Sequence, residues 1–413
     1  MKKTFRKLGL ALMAVLGFAS CSEDCNHDFI EYDYSKDLVG TWTCLKGDFA
    51  EALVFKADGS FASVGVTNGE CWEENNATWV LKNNKLTLTS DDYKSDVVLE
   101  IIPGKSLALI NEQGTRNVFE YCENDLSDEI VGMWVCNEAP VETENNMGVQ
   151  SFDANGIATL TGYTSQAGDF IVKSQADYKV IGDLLIQKLP EDKLVAGVSP
   201  YLVLKVVYDP NANALGDMMI QKRYVVEGGN TVEKVSSWLR VKESLNLVGK
   251  KYSYNNVYLS NVKGSDKEIN FMGYKFAFAN MDGSRLEMVM KSALFGLEFP
   301  DANTIRYTYQ LNGISETYTL PIMVEGNKMT FKVSEKVPSL KDVVFYAFQD
   351  ADDSQLHLYI HQSSFVSFFT NMQAIMAAAV DPTFDITNPA AIDAIYNEIE
   401  AAVESINLSI VMK

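Results

Sequence analysis

Histidine is scarce in this chain: His27, His357 and His361 are all there is in 413 residues. The six cysteines form no Cys-x-x-Cys pair and show no zinc-ligand spacing, which argues against a metal framework. There is no Gly-x-Ser-x-Gly elbow, no His-Glu-x-x-His and no phosphate-binding glycine loop. Basic residues are also few, 35 against 55 acids, for a net charge of −20. Such a balance argues against nucleic acid, which needs a basic face, and against docking on anionic lipid. Beyond residue 18 no apolar run approaches the length of a membrane span.

The remaining candidates for chemistry are weak. His357 and His361, four residues apart, share one face of an extended strand, and Asp350, Asp352 and Asp353 precede them. Two solvated histidines are the expectation, with a metal site as the alternative. Asp350-Ala351-Asp352-Asp353 lacks the glycine and the terminal glutamate of a calcium loop. With 55 acids, chance carboxylate pairs are too many to single out a catalytic couple. No catalytic residue, metal site or cofactor is assigned.

What is present begins at the N-terminus. Lys2, Lys3, Arg6 and Lys7 precede an apolar run from Leu8 to Phe18, then Ala19, Ser20 and Cys21. A basic head, a short apolar stretch and small residues form a secretory signal. Cys21 directly after the small residues resembles a bacterial lipoprotein signal. The resemblance implies cleavage after residue 20, lipidation of Cys21 and a membrane attachment through that lipid. A plain signal peptide with a chance cysteine is the alternative. Ser22-Glu23-Asp24 resembles the signal that sends Bacteroidota lipoproteins to the outer face of the outer membrane. Surface display is expected, with a periplasm-facing anchor as the alternative.

The body of the chain repeats itself. Leu38-Val39-Gly40-Thr41-Trp42 recurs as Ile130-Val131-Gly132-Met133-Trp134, and more faintly as Leu247-Val248-Gly249-Lys250-Lys251-Tyr252. A second element follows each: Phe55 to Ser60, Phe152 to Gly156, and Phe278 to Ser284. Asp58-Gly59 and Asn155-Gly156 supply the positive φ of tight hairpins, with apolar residues on both sides. Ile305, Tyr307, Tyr309 and Leu311 alternate with polar residues, then the chain turns at Asn312-Gly313. Period-two alternation with frequent turns predicts antiparallel sheet with one face buried. The expected units are a tether at 21–35, then domains at 36–125, 126–244 and 245–413. In the third, helices are expected near 363–380 and 388–404, the second capped by Asn388 with Pro389 in its first turn. A closing strand from Leu408 to Met412 follows. The helix pair is either a lid on the barrel or simple packing against its sheet.

Leu-Val-Gly-x-Trp followed by Phe-x-x-Asp-Gly-x-Phe resembles the lipocalin, or calycin, superfamily, and in particular small lipocalin-like domains of Bacteroidota lipoproteins. The fold expected is mainly β: tandem antiparallel lipocalin-like barrels. The resemblance implies that Trp42 and Trp134 plug the closed ends of their barrels beside Gly40 and Gly132. Arg240 is the candidate to cover Trp134, and Arg116 a weaker one for Trp42. In the third unit Lys251 stands where the tryptophan belongs, and a one-residue shift turns Tyr252 to the other face. Cys44 and Cys122 lie near the first and last strands of one barrel, so they form a candidate bridge, with unpaired thiols as the alternative.

The function expected is non-catalytic: barrels that hold a small apolar or glycan ligand at the cell envelope. Barrels of about eight strands either fill their interior or hold one small ligand. A structural or protein-interaction module of a surface complex is the alternative, and an uncharacterised hydrolase a remote third.

Overall fold

The computed structural model describes residues 33–413 except 48, 137–147, 165–168, 195–198, 210–217, 228–229, 272–273, 281–282 and 312. The signal segment and Cys21 lie outside the described residues. Three closed, eight-stranded antiparallel barrels follow one another along the chain.

The first barrel is an up-and-down meander. Its strands are β1 (Gly40–Lys46), β2 (Phe49–Phe55), β3 (Ser60–Thr67), β4 (Glu70–Lys82), β5 (Lys85–Thr89), β6 (Lys94–Ile102), β7 (Ser106–Ile110) and β8 (Arg116–Cys122). A short helix α1 (Ser35–Leu38) precedes it. β8 returns to pair with β1, with Cys122 opposite Thr41, which leaves no sheet edge to template aggregation. The alternation is legible in β2: Leu53 and Phe55 enter the core while Ala50 and Ala52 face outward.

The second barrel repeats the plan with β9 (Gly132–Cys136), β10 (Gly148–Phe152), β11 (Ile157–Thr164), β12 (Asp169–Ile181), β13 (Leu184–Lys188), β14 (Tyr201–Asp209), β15 (Met218–Glu227) and β16 (Asn230–Val241). β16 closes on β9, with Arg240 opposite Trp134.

The third barrel is elaborated. β17 (Lys251–Gly264) is followed by a separate hairpin, β18 (Glu268–Phe271) and β19 (Tyr274–Ala277), and by helix α2 (Gly283–Ala293). The barrel resumes with β20 (Gly296–Asp301), β21 (Thr304–Leu311), β22 (Ile314–Glu325), β23 (Lys328–Phe331), β24 (Val343–Gln349) and β25 (Leu356–His361). Helices α3 (Gln362–Val380) and α4 (Pro389–Ala402) come next, and β26 (Val403–Met412) closes on β17.

In the third copy of the second element, Phe278–Asn280 forms a single 3-10 turn and Gly283 opens α2, whose Val289, Met290 and Ala293 reach the core. One expectation changes here. The closing strand begins at Val403 rather than Leu408, because the helix ends at Ala402. The caps of α4 are as expected: the Asn388 side chain accepts the Ala390 N–H at 3.0 Å.

Contrary to the expectation that no run beyond residue 18 approaches span length, helix α3 is long and apolar enough to cross a membrane by length and composition, because its small and polar residues break the run without adding a charge. Here it plugs the third barrel. Phe368 packs against Phe345 of β24 at 6.2 Å between centroids, and Met372 Sδ lies 3.2 Å from the Tyr307 hydroxyl of β21. Both partners belong to the interior core of that barrel, so the helix contacts inward-facing residues of well-separated strands.

The barrels dock side by side through strands that are apolar on both faces. Ala50, Ala52, Val64 and Val66 of the first meet Leu184 and Ile186 of the second. Val135, Val149 and Val241 of the second meet Tyr346, Phe348 and Tyr359 of the third. Polar contacts fix each junction. Thr43 donates to Asp183 at 2.5 Å, and Lys205 bridges Asp183 and Glu120. Tyr359 donates to the Cys136 carbonyl at 3.0 Å.

Candidate functional site

One end of each barrel is closed by a large ring from its first strand. Trp42 and Trp134 are fully buried, and each indole N–H donates 2.8 Å back to the carbonyl four residues earlier, of Leu38 and Ile130. Gly40 and Gly132 precede them with φ of 139° and 134°, which L side chains rarely adopt. At Gly40 a Cβ would also sit 2.7 Å from the Tyr121 ring.

The residues covering the rings differ. Arg240 places its guanidinium carbon 4.5 Å from the Trp134 centroid and donates to the carbonyls of Val131 and Glu129. Trp42 has no such cover from Arg116, which pairs with Glu100 on the outer face. Tyr121 meets Trp42 edge-on instead, at 5.0 Å. In the third barrel Gly249 sits in a turn before the strand, so β17 starts at Lys251 and the inward position falls on Tyr252. Tyr252 is buried, faces Leu297 in register and bonds Gln349. The shift is absorbed by the turn, where the Lys250 N–H reaches the Leu247 carbonyl.

The candidate Cys44–Cys122 bridge is absent; both thiols are free, the alternative reading. Cys44 shares the inward parity of Trp42 and packs on the core, opposite Glu51. Cys122 shares the outward parity of Thr41, touching the second barrel at Gly182. They lie on opposite sides of the wall. The expectation of two solvated histidines also fails for His357. It is 1% exposed, on the outward face of β25 between Phe348 and Val411, and neither ring nitrogen has a hydrogen-bond partner among the described residues. Burial pushes its pKa down to about 4, so it stays neutral. His361 caps α3 by accepting from the Ser363 N–H.

Beyond these rings the barrels differ. In the third, α3 packs on inward-facing residues. In the second, Gln221 donates at 2.8 Å to Gln150, which faces Trp134 in register, and the Trp238 indole donates to Ser236 at 2.9 Å. In the first, the polar groups are not matched. Among its described residues Glu51 Oε2, Ser90 Oγ and Asn117 Nδ2 are buried without a partner. Among the described residues of the third barrel, Tyr254, Gln373 and His357 also carry buried polar atoms without a partner, on separate elements.

Register gathers the three groups of the first barrel at the end away from Trp42. Glu51 has the parity of Leu53 and Phe55 and lies opposite Cys44 and Gly65. Asn117 has the parity of Phe119, near the start of β8. Ser90 stands in the turn between β5 and β6, beside Tyr93. Trp72 lies over Gly65, where a Cβ would meet the indole at 2.5 Å. Glu51 is only 4% exposed. Burial alone pushes its pKa up to about 8, so the carboxyl is largely protonated at neutral pH. Burial and the neighbouring Glu51 raise Cys44 to about 11, and burial with Glu74 and Glu51 raises Tyr93 to about 12. By Trp134, Ile130, Val206, Tyr208 and Met219 line a shallow depression without room for a water molecule.

Sequence reading missed Glu51. Its signal was present in Phe49-Ala50-Glu51-Ala52-Leu53-Val54-Phe55: an acid at an inward position of a strand beside a hairpin.

Among solved structures, Transferrin Binding Protein B from Haemophilus parasuis Hp5 is similar over 88% of this chain, at 9% identity and a TM-score of 0.23. This chain spans 65% of that protein's length, a little under two thirds. A porin-like protein from Bacteroides uniformis ATCC 8492 is similar over 48% of this chain and 94% of its own, at 8% identity and a TM-score of 0.13. No protein-family model matches the chain. No curated protein matches it.

Proposed function

We propose that the chain is a non-catalytic binding protein of the bacterial cell envelope, held by a lipid on Cys21, whose first barrel takes a small ligand. The observation that carries this is the set of three buried, unpartnered polar atoms at one end of that barrel. An unpaired buried polar group costs about 1–3 kcal/mol. Three in one place favour a partner molecule that satisfies them. The lipocalin-like reading supplies the general plan, a plugged end and a receiving end. The envelope location rests on the N-terminal signal. The second and third barrels, filled and docked through apolar faces, serve as a rigid support, which leaves a protein-interaction role to the outer surface.

The test is native mass spectrometry of residues 22–413 purified from the native host, compared with the denatured mass. A reproducible excess mass that is lost on denaturation, and absent in Glu51→Leu, supports ligand carriage by the first barrel. A bare polypeptide mass after gentle purification moves the reading to a structural or interaction module.

A further inference from the structure

The far end of the first barrel has a chemistry of its own. Its buried acid, Glu51, has no ion pair among the described residues, and no described cation contributes to its pKa, which burial alone displaces. The charged and titratable groups around it are few. Cys44 and Lys46 come from β1, with Lys46 exposed on the rim, and the Lys205–Glu120 ion pair outside the wall also acts on Cys44. Glu74 comes from β4, and Tyr93 from the turn between β5 and β6. β3 offers Ser63 and Gly65, and β8 offers Asn117, none of them charged. Two carboxyls and two half-buried aromatic rings, Trp72 and Tyr93, therefore share one end of the barrel. Asn117 Nδ2 adds a donor that wants an oxygen.

Resting on the ligand-binding reading above, we infer that this end recognises a small organic amine, with its ammonium group on Glu51 and an oxygen of the same molecule on Asn117. An ammonium brings three donors to an acid that has none, and aromatic faces attract cations within about 6 Å. The net charge of −20 adds attraction at longer range. A neutral sugar would satisfy hydrogen bonds equally well but would leave the carboxyl protonated.

That difference gives the test a sign. An amine binds the carboxylate, so the Glu51 proton leaves on binding. Cys44 and Tyr93 keep their protons from pH 6 to 8, since burial raises both far above that window. Affinity for an amine that stays protonated throughout, such as ethanolamine, then rises about tenfold per pH unit between 6 and 7 and levels off above about 8, while an amino sugar, whose own ammonium titrates closer to neutrality, levels off sooner. Affinity for a neutral ligand that uses the protonated acid stays flat to about pH 7 and falls above 8.

The experiment is calorimetric titration of residues 22–413 with ethanolamine, glucosamine, N-acetylglucosamine and glucose at pH 6, 7 and 8, in buffers of different ionisation enthalpy. Expected are binding of an amine with proton release at pH 6, rising affinity with pH, and at least a tenfold loss in Glu51→Gln. The pH series uses the unaltered protein, so it holds whether or not the variant folds. Failure of both amines to bind overturns the inference, as does a neutral sugar that binds equally well in Glu51→Gln. In the latter case the first barrel remains a ligand site. If native mass spectrometry also yields only bare chain, the binding reading itself falls.

Discussion

The guanidinium carbon of Arg240 lies 4.5 Å from the centre of the Trp134 ring, and Arg240 also ties down the carbonyls of Val131 and Glu129. One side chain thus closes the barrel, covers its plug and holds the segment that enters the first strand. Arg240→Ala is expected to cost the second barrel about 2–3 kcal/mol, combining a cation–π contact of about 0.5–2 kcal/mol with carbonyls that lose their donor. Arg240→Lys recovers only part, since an ammonium lacks the planar fork. Hydrogen exchange is the measurement, because three barrels need not unfold as one unit. Amides of β9 and β16 should exchange faster while those of β1 to β8 do not change. Uniform acceleration in all three barrels would contradict this assignment.

The first two barrels were legible because Gly-x-Trp ties a rare backbone conformation to a residue that only an interior can hold. The alternation of β21 was legible for the same reason, one face buried and the other wet, whereas the first six residues of β22 are exposed on both faces. The third plug was not legible, because the turn at Gly249 shifts the strand start by one residue and so returns Tyr252 to the inside. The docking strands were opaque as well. In Leu184-Leu185-Ile186 alternation is lost because both faces are covered, and a sequence does not say by what. Glu51 was hidden for a different reason: one acid among 55 stands out only after the register of β2 is known.

Glu51 should give the first barrel a distinctive dependence on pH. Its pKa is raised in the folded state, to about 8 from an ordinary value of 4.5. The folded chain therefore keeps a proton that the unfolded chain loses above about pH 4.5. Stability falls as pH rises from about 4.5 to about 8, then levels off. Glu51→Gln removes this slope. The variant should gain on the unaltered protein across that window, with a total on the order of several kcal/mol. Urea titrations at pH 5 and 8, followed through amides of β2 and β3, check it. A constant difference between the two proteins would mean that Glu51 ionises normally.

The junction between the first two barrels rests on small residues. Ala52 is fully buried against the wall that carries Leu184 and Ile186. Ala52→Arg puts a charge and a long side chain into that contact, while the side chain still points away from the first barrel's own core. Both barrels should keep their folds, and their docking should be lost. Small-angle scattering should report a larger radius of gyration, and circular dichroism should not change. A compact particle with native scattering would show that the junction tolerates the charge.

His357 makes the opposite junction sensitive to acid. Its ring is buried beside the Phe348–Tyr359 contact with the second barrel, with both nitrogens unpartnered and a pKa lowered to about 4. The unfolded chain takes up a proton below about pH 6.5, whereas the folded chain resists until about 4. Stability is thus complete above pH 6.5 and is lost as pH falls through this window. His357→Leu removes both the titration and two unpaired polar atoms, so it should not destabilise the protein at pH 7 and should stabilise it at pH 5 relative to the unaltered chain. The carboxylates of the third barrel contribute their own acid response, but they are common to both proteins and cancel in the difference. Urea midpoints of the two proteins at pH 7 and 5, followed by exchange of β25 amides, decide the matter. A variant that loses stability equally at both values would mean that the imidazole has a partner in solution that its burial beside Val411 conceals.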